Sequence, residues 1–183
     1  MSCPNMPISK DTVIEYAAKY DARVAGKKDE TVEKQLREWF ETNKFLDKDH
    51  FMKLCMWKTP RQKPNYNAND EHTIISKTRD LYMHGDHQKR IESLDELSGV
   101  GYPVASAILH YCFPDIYSII DFRAIEALGW EQPSYYTYAY WEKYFIKIQE
   151  IAKTYGLSIR TVDKALWEWS KEHSKKAKHC CWH

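Results

Sequence analysis

Gly99-Val100-Gly101 places two glycines around one apolar residue, between two segments that read as short helices. Glycine tolerates positive φ and lets another backbone approach closely, so the triplet reads as a tight hairpin. The first amides of the following helix have no partner within it and carry the positive end of its dipole. Such an end holds a phosphate without needing a lysine or an arginine. Asp121 lies 22 residues beyond Gly99, where it can cap the helix that opens at Phe122, a role worth about 1 kcal/mol. Three other groups carry chemistry-bearing residue types. Trp57-Lys58-Thr59-Pro60-Arg61-Gln62 is either a solvated basic loop at a helix end, or an indole for stacking with side chains for phosphate and base. Tyr135 to Trp141 holds five aromatics in seven residues. Tyr136, Tyr140 and Phe145 share a helical stripe and are expected in the core, while Tyr138 and Trp141 point elsewhere and could line a cleft. His179-Cys180-Cys181-Trp182-His183 has metal-ligand residue types without zinc-finger spacing, so no structural metal is expected there.

The elements that must position these groups read at helical period. Val13, Ala17, Tyr20 and Val24 form a stripe behind an Asp11 cap, stopping at Gly26. Val32, Leu36, Trp39 and Phe40 mark a second helix. Asp47 to Trp57 is apolar nearly all round, which predicts a central helix ending before Thr59-Pro60. Arg61 to Asn69 has Pro64, three asparagines and no period, and reads as a loop. Ile74, Ile75, Thr78, Leu81 and Tyr82 mark a fourth helix that stops at Gly85. Ser93-Leu94-Asp95-Glu96 has the capping-box pattern and predicts a very short helix. Tyr102 to Phe113 follows, with Pro103 tolerated in the first turn. Phe122 to Leu128, about Tyr135 to Tyr155, and Ser158 to His173 complete an all-α chain. No repeat is present, and the one biased segment is the basic Lys175-Lys176-Ala177-Lys178.

Composition narrows the classes. The 183 residues have the length of one compact domain, or of one split into two lobes around a cleft. Six Gly and seven Pro leave little room for a hairpin-rich β fold. No apolar run approaches the roughly 20 residues of a membrane span, so no membrane is expected. Met1-Ser2-Cys3-Pro4 has neither the basic nor the apolar region of a signal peptide. Cys3, Cys55, Cys112, Cys180 and Cys181 are an odd, scattered set, which makes a reducing cytoplasm the default. The net charge of +1 hides an uneven spread: +4 over residues 51–90 and −5 over residues 91–130. The basic segment could face phosphates, although solvated helix faces produce the same count.

Leu97-Ser98-Gly99-Val100-Gly101-Tyr102-Pro103-Val104-Ala105-Ser106-Ala107-Ile108-Leu109, followed by Ile119-Ile120-Asp121, resembles the helix-hairpin-helix of the DNA glycosylase superfamily. The match runs from about Leu94 to Gly129, with a weaker one over Phe51 to Tyr82. The resemblance implies a two-lobed all-α fold. Residues 46–130 would form a helical barrel lobe holding the hairpin (93–113) and the Asp, and residues 1–45 plus 131–183 the second lobe. It implies that Asp121 is catalytic and that double-stranded DNA is the partner. Gly99, Val100, Gly101, Tyr102 and Ser106 would bind DNA phosphate. Trp57, Lys58, Arg61, Gln62 and Tyr138 would form the base pocket or the wedge that replaces an extruded base. It also implies a monovalent cation on the main-chain carbonyls of Asp95, Leu97 and Val100.

Two departures from the family's pattern shape the expectation. Members that also cut the strand carry a lysine nucleophile in the second hairpin helix, where this chain has Pro103, so a monofunctional enzyme without lyase activity is expected. Many members hold an iron–sulfur cluster on four ordered C-terminal cysteines, and this chain lacks that spacing, so no cluster is expected. The implied reaction is hydrolytic excision of a damaged or modified base (alkylated, mismatched, or of the hypermodified phage type), by a monomer, in genome repair or phage defence. An aromatic-rich site is expected to favour a large or cationic base. The rival is a non-catalytic DNA-binding protein using the hairpin, or a regulator using Ile151 to Leu166 as a helix-turn-helix.

Overall fold

The computed structural model describes residues 5–174. Cys3, the basic run 175–178 and the segment His179 to His183 lie outside the described residues. Helix accounts for 71% of the described residues and no strand occurs among them, which makes the fold all-α as the periodicity predicts.

Side-chain caps set most helix starts. Helices α1 (Lys10–Val24), α3 (Lys48–Lys58) and α5 (Glu71–Asp80) open behind Ser9, Asp47 and Asp70, each of which accepts a first-turn amide. Asp11 therefore sits inside the first turn of α1 rather than capping it. Helix α2 (Lys28–Thr42) has no side-chain cap. The segment expected as a loop folds instead into a 3₁₀ turn at Pro60–Gln62 and helix α4 (Lys63–Ala68). Pro64 falls in the first turn of α4, where its missing N–H costs nothing. The Lys48 ammonium satisfies the far end of α4, donating to the carbonyls of Tyr66, Asn67 and Asn69.

The capping-box reading of Ser93 also fails. Asp86 opens helix α6 (His87–Ser93) by accepting the amides of Gln88 and Lys89, so Ser93 ends that helix. A 3₁₀ turn at Leu94–Glu96 follows. Helices α7 (Tyr102–Cys112), α8 (Phe122–Ala127), α9 (Tyr138–Tyr155) and α10 (Ile159–His173) then appear close to the expected limits. Gly156, at φ 65°, ends α9 in the left-handed conformation.

Helix α3 is central. Phe51, Leu54 and Cys55 are fully buried, and the helix meets α2, α4, α5 and α7. Helix α10 packs against α1, α8 and α9. A single apolar cluster runs through both sets, from Val13 of α1 through Leu54 of α3 and Ile108 of α7 to Leu166 of α10. Helix α7 buries every residue from Val104 to Cys112, and it lies between the glycine hairpin and the segment that leads to Asp121.

Candidate functional site

Between α7 and α8 the chain crosses the interior without regular structure, and its polar backbone is satisfied by buried side chains. The amide of Ile119 donates to the Asp163 carboxylate of α10 at 2.8 Å, and the Tyr144 hydroxyl of α9 donates to the Ile119 carbonyl at 3.2 Å. The amide of Ile120 donates to the Ser106 hydroxyl of α7 at 3.1 Å. His110 Nδ1 donates to the Tyr117 carbonyl at 2.8 Å. Burial presses the His110 imidazole down to about 4 and lifts the Asp163 carboxyl to about 7. The result is a strap, anchored on three helices, that ends at Asp121.

Asp121 does cap α8, accepting the Arg123 amide at 3.0 Å through Oδ1. Its second oxygen accepts from Lys58 Nζ at 2.7 Å. Lys58 is the last residue of α3 and its side chain is only 7% exposed, against 21% for Asp121. Lys58 therefore serves the carboxylate rather than an exposed phosphate, and its position at a helix C-terminus suits its charge.

Two hollows meet at this ion pair. On one side is a cavity of 290 Å³ lined by Tyr20, Trp57, Arg160, Asp163 and Trp167 among others. On the other is an open groove of 1000 Å³ lined by Gly99 and Gly101 of the hairpin, by Thr59 to Gln62, and by Tyr66, Pro103 and Tyr136. Lys58, Asp121 and Phe122 line both. Trp57, Lys58, Arg61 and Gln62, predicted as pocket or wedge, thus come together with Asp121. Arg61 is exposed, and the Gln62 side chain accepts from Asn65 at 2.7 Å.

The hairpin offers three amides. Those of Gly99, Gly101 and Tyr102 donate to no acceptor among the described residues, and Gly101 is exposed. The amide of Val100 donates to the Leu97 carbonyl at 3.0 Å and its side chain is buried, so Val100 supplies no phosphate contact. Ser106 is also removed from the phosphate set. It is fully buried, and its hydroxyl donates to the Pro103 carbonyl while accepting from Ile120. The shape of the hairpin depends on α4. Asn69 clasps Ser98 from both sides, accepting its amide at 2.7 Å and donating to its carbonyl at 3.0 Å. Gly99, at φ +83°, lies so close to α4 that a Cβ would stand 2.9 Å from Asn65 Cβ and 3.0 Å from the Tyr66 ring. The Asp95 and Val100 carbonyls accept no hydrogen bond among the described residues, and Leu97 accepts only from Val100. These oxygens are the donor type that a monovalent cation takes.

Tyr138 is not at the site. Its hydroxyl donates to Glu142 at 2.5 Å, and it lines neither hollow. Trp141 is fully buried, so the outward pair of the aromatic run does not form the cleft. Tyr136, expected in the core, lines the groove instead, and burial together with the Asp121 charge pushes its hydroxyl up to about 12.

Sequence reasoning passed over Phe122, Arg123, Arg160, Asp163 and Trp167. One signal was present: Asp163 interrupts the apolar stripe Ile159, Val162, Leu166, which marks a carboxyl forced into the interior. Phe122, 55% exposed beside Asp121, is an apolar residue left in solvent. No group of three or more His, Cys, Asp or Glu among the described residues could hold a metal. Comparisons with family models, with curated proteins and with solved structures find no match to this chain. The site therefore rests on its own geometry.

Proposed function

We propose that this chain is a monofunctional DNA N-glycosylase of the helix-hairpin-helix type, which turns a damaged or modified base out of duplex DNA and hydrolyses its glycosidic bond. The observation that carries the reading is the position of Asp121, at the junction of a groove edged by free hairpin amides and a base-sized cavity walled by indoles.

In this reading the amides of Gly99, Gly101 and Tyr102 grip a phosphate, and Arg61 adds a cation at the rim. Gln62 and the exposed Phe122 flank the groove where a wedge must fill the gap left by the base. The extruded base passes the Lys58–Asp121 pair into the cavity, between Trp57 and Trp167. Bond cleavage leaves positive charge on the sugar, which the Asp121 carboxylate stabilises while it orients the attacking water. Pro103 stands where members that also cut the strand carry their lysine nucleophile, which supports hydrolysis without strand cleavage. A structural monovalent cation would sit on the carbonyls of Asp95, Leu97 and Val100. The two lobes, 46–130 and 1–45 plus 131–183, a monomeric state, a cytoplasmic setting and a role in genome repair or defence against foreign DNA belong to the same proposal. The helix-turn-helix alternative gains no support, because α10, its reading helix, is occupied by α1 and α8.

The test uses duplexes carrying a panel of altered bases, with released base read by mass spectrometry for wild type and Asp121→Asn. Base released by wild type, lost in the variant, with strands breaking only after alkali, is the expected result. Intact DNA binding with no base released by wild type overturns the enzyme.

A further inference from the structure

The cavity beside Asp121 has an unbalanced hydrogen-bonding inventory. Its carboxylate acceptors are largely engaged by the protein. Asp121 takes Lys58 and the Arg123 amide, and Asp163 takes the Ile119 amide and shares the one Tyr144 O–H, at 3.3 Å, with the Ile119 carbonyl. The remaining acid, Asp29, is exposed to solvent. The donors are not used up. Arg160 spends Nε and Nη2 on Glu33 and Tyr20, and its Nη1 donates to nothing among the described residues. Arg23 bonds Glu168 through Nε alone, at 2.7 Å. The Arg123 guanidinium makes no hydrogen bond among the described residues, and lies over the rings of Phe122 and Trp167 at 5.0 and 5.2 Å.

Guanidinium groups have no acceptor capacity, so a cavity edged by three of them with free N–H groups is completed by a ligand that brings acceptors. We propose that this cavity selects bases rich in exocyclic oxygen, neutral or anionic, and discriminates against cationic alkylated purines. The selectivity rests on the glycosylase reading, and it reverses the expectation of a cationic base drawn from the aromatic content alone. Trp57 and Trp167 would stack on the ring of either class, while Arg123, whose guanidinium has no carboxylate partner among the described residues, repels a positive one. Arg160 and Arg23 are tied into ion pairs that also hold helices together, so Arg123 is the residue whose change reads the chemistry with least structural cost.

The experiment measures binding and release separately. Quenching of tryptophan fluorescence is followed as the purified protein is titrated with orotate and uracil, then with the cationic nucleosides 1-methyladenosine and 7-methylguanosine. Duplexes carrying uracil, 8-oxoguanine, 5-carboxylcytosine or 7-methylguanine are assayed alongside for released base. The expected result is tighter binding of the oxygen-rich ligands, orotate above uracil, weakened about ten-fold by Arg123→Gln and largely kept by Arg123→Lys. Tighter binding of the methylated purines, equal binding of both classes, no binding of either, or no response to Arg123→Gln overturns the inference whichever base is released. Oxygen-rich ligands binding as described, with no base released from any duplex, leaves the cavity chemistry standing and removes the glycosylase reading.

Discussion

Replacing Lys58 by Met keeps the apolar stem and deletes the ammonium that faces Asp121 at 2.7 Å. Breaking a fully buried ion pair from one side costs roughly 3–5 kcal/mol, because a charge is left without a partner. A fully exposed pair is worth about 0–1 kcal/mol. With Lys58 7% and Asp121 21% exposed, this pair lies between those limits, and a loss of about 2 kcal/mol follows. In a chain of this length that lowers the melting temperature by about 4–8 °C. Asp121→Asn strips the same interaction from the other side, while its amide oxygen still accepts the Arg123 amide. The two changes therefore share a cost, and the double variant is expected to fall short of the sum by about 1–2 kcal/mol. Urea unfolding followed by circular dichroism measures all four proteins, with equal m values as the check that the denatured states match. Additivity within about 0.5 kcal/mol would mean that the pair is not formed in solution, and that the two hollows do not meet at it.

Gly99→Ala is expected to lose about 2–4 kcal/mol, combining left-handed strain with overpacking against Asn65 and Tyr66. Gly101→Ala, whose Cβ meets nothing within 4 Å, is expected to leave the melting temperature unchanged and to weaken duplex binding in gel-shift titrations. Similar melting losses for both would refute the account of the hairpin. The depressed His110 makes stability fall as pH drops from its ordinary 6.5 toward about 4, because the unfolded chain binds the extra proton. The raised Asp163 makes stability fall as pH rises from its ordinary 3.8 toward about 7, so the two slopes oppose. Asp163→Asn removes the second slope and is expected to steepen the loss of melting temperature between pH 6.5 and pH 5, and a slope equal to that of wild type refutes the assignment.

Local signals carried the helices well. Helices α3 and α10 start within a residue of the expected Asp47 and Ser158, which cap them, and Pro103 sits in the first turn of α7. They failed where a longer-range partner decided the outcome. Arg61 to Asn69 has no apolar period, yet α4 forms because Tyr66 is buried against Phe51 and Lys48 caps its far end. Ser93 has the spacing of a capping box, but Asp86 had already opened the helix that contains it. Tyr138 and Tyr136 exchanged roles for a related reason. Thr137 caps α9, so Tyr136 falls before the helix and leaves the stripe that period alone assigned to it.

The site divides along the same line. The hairpin and Asp121 were legible because each is a local device: two glycines before a helix, and an acid at a helix start. Their relation was not legible, since it runs through side chains far away in sequence. Ser106 reads as one small residue of a motif, yet it pins Ile120, while Asp163, 44 residues beyond Ile119, pins the residue before it. Lys58, 63 residues before Asp121, reads as part of a basic loop, yet it is the counter-ion. A buried acid can be tolerated on α10 only because the strap supplies an amide to it, and the strap can cross the interior only because such acceptors meet it. Each half of that bargain looks like a fault when read alone. A polar residue that breaks an apolar stripe, as Asp163 does, is therefore best taken as a sign that irregular backbone passes beside it, as the Ile119 amide does here.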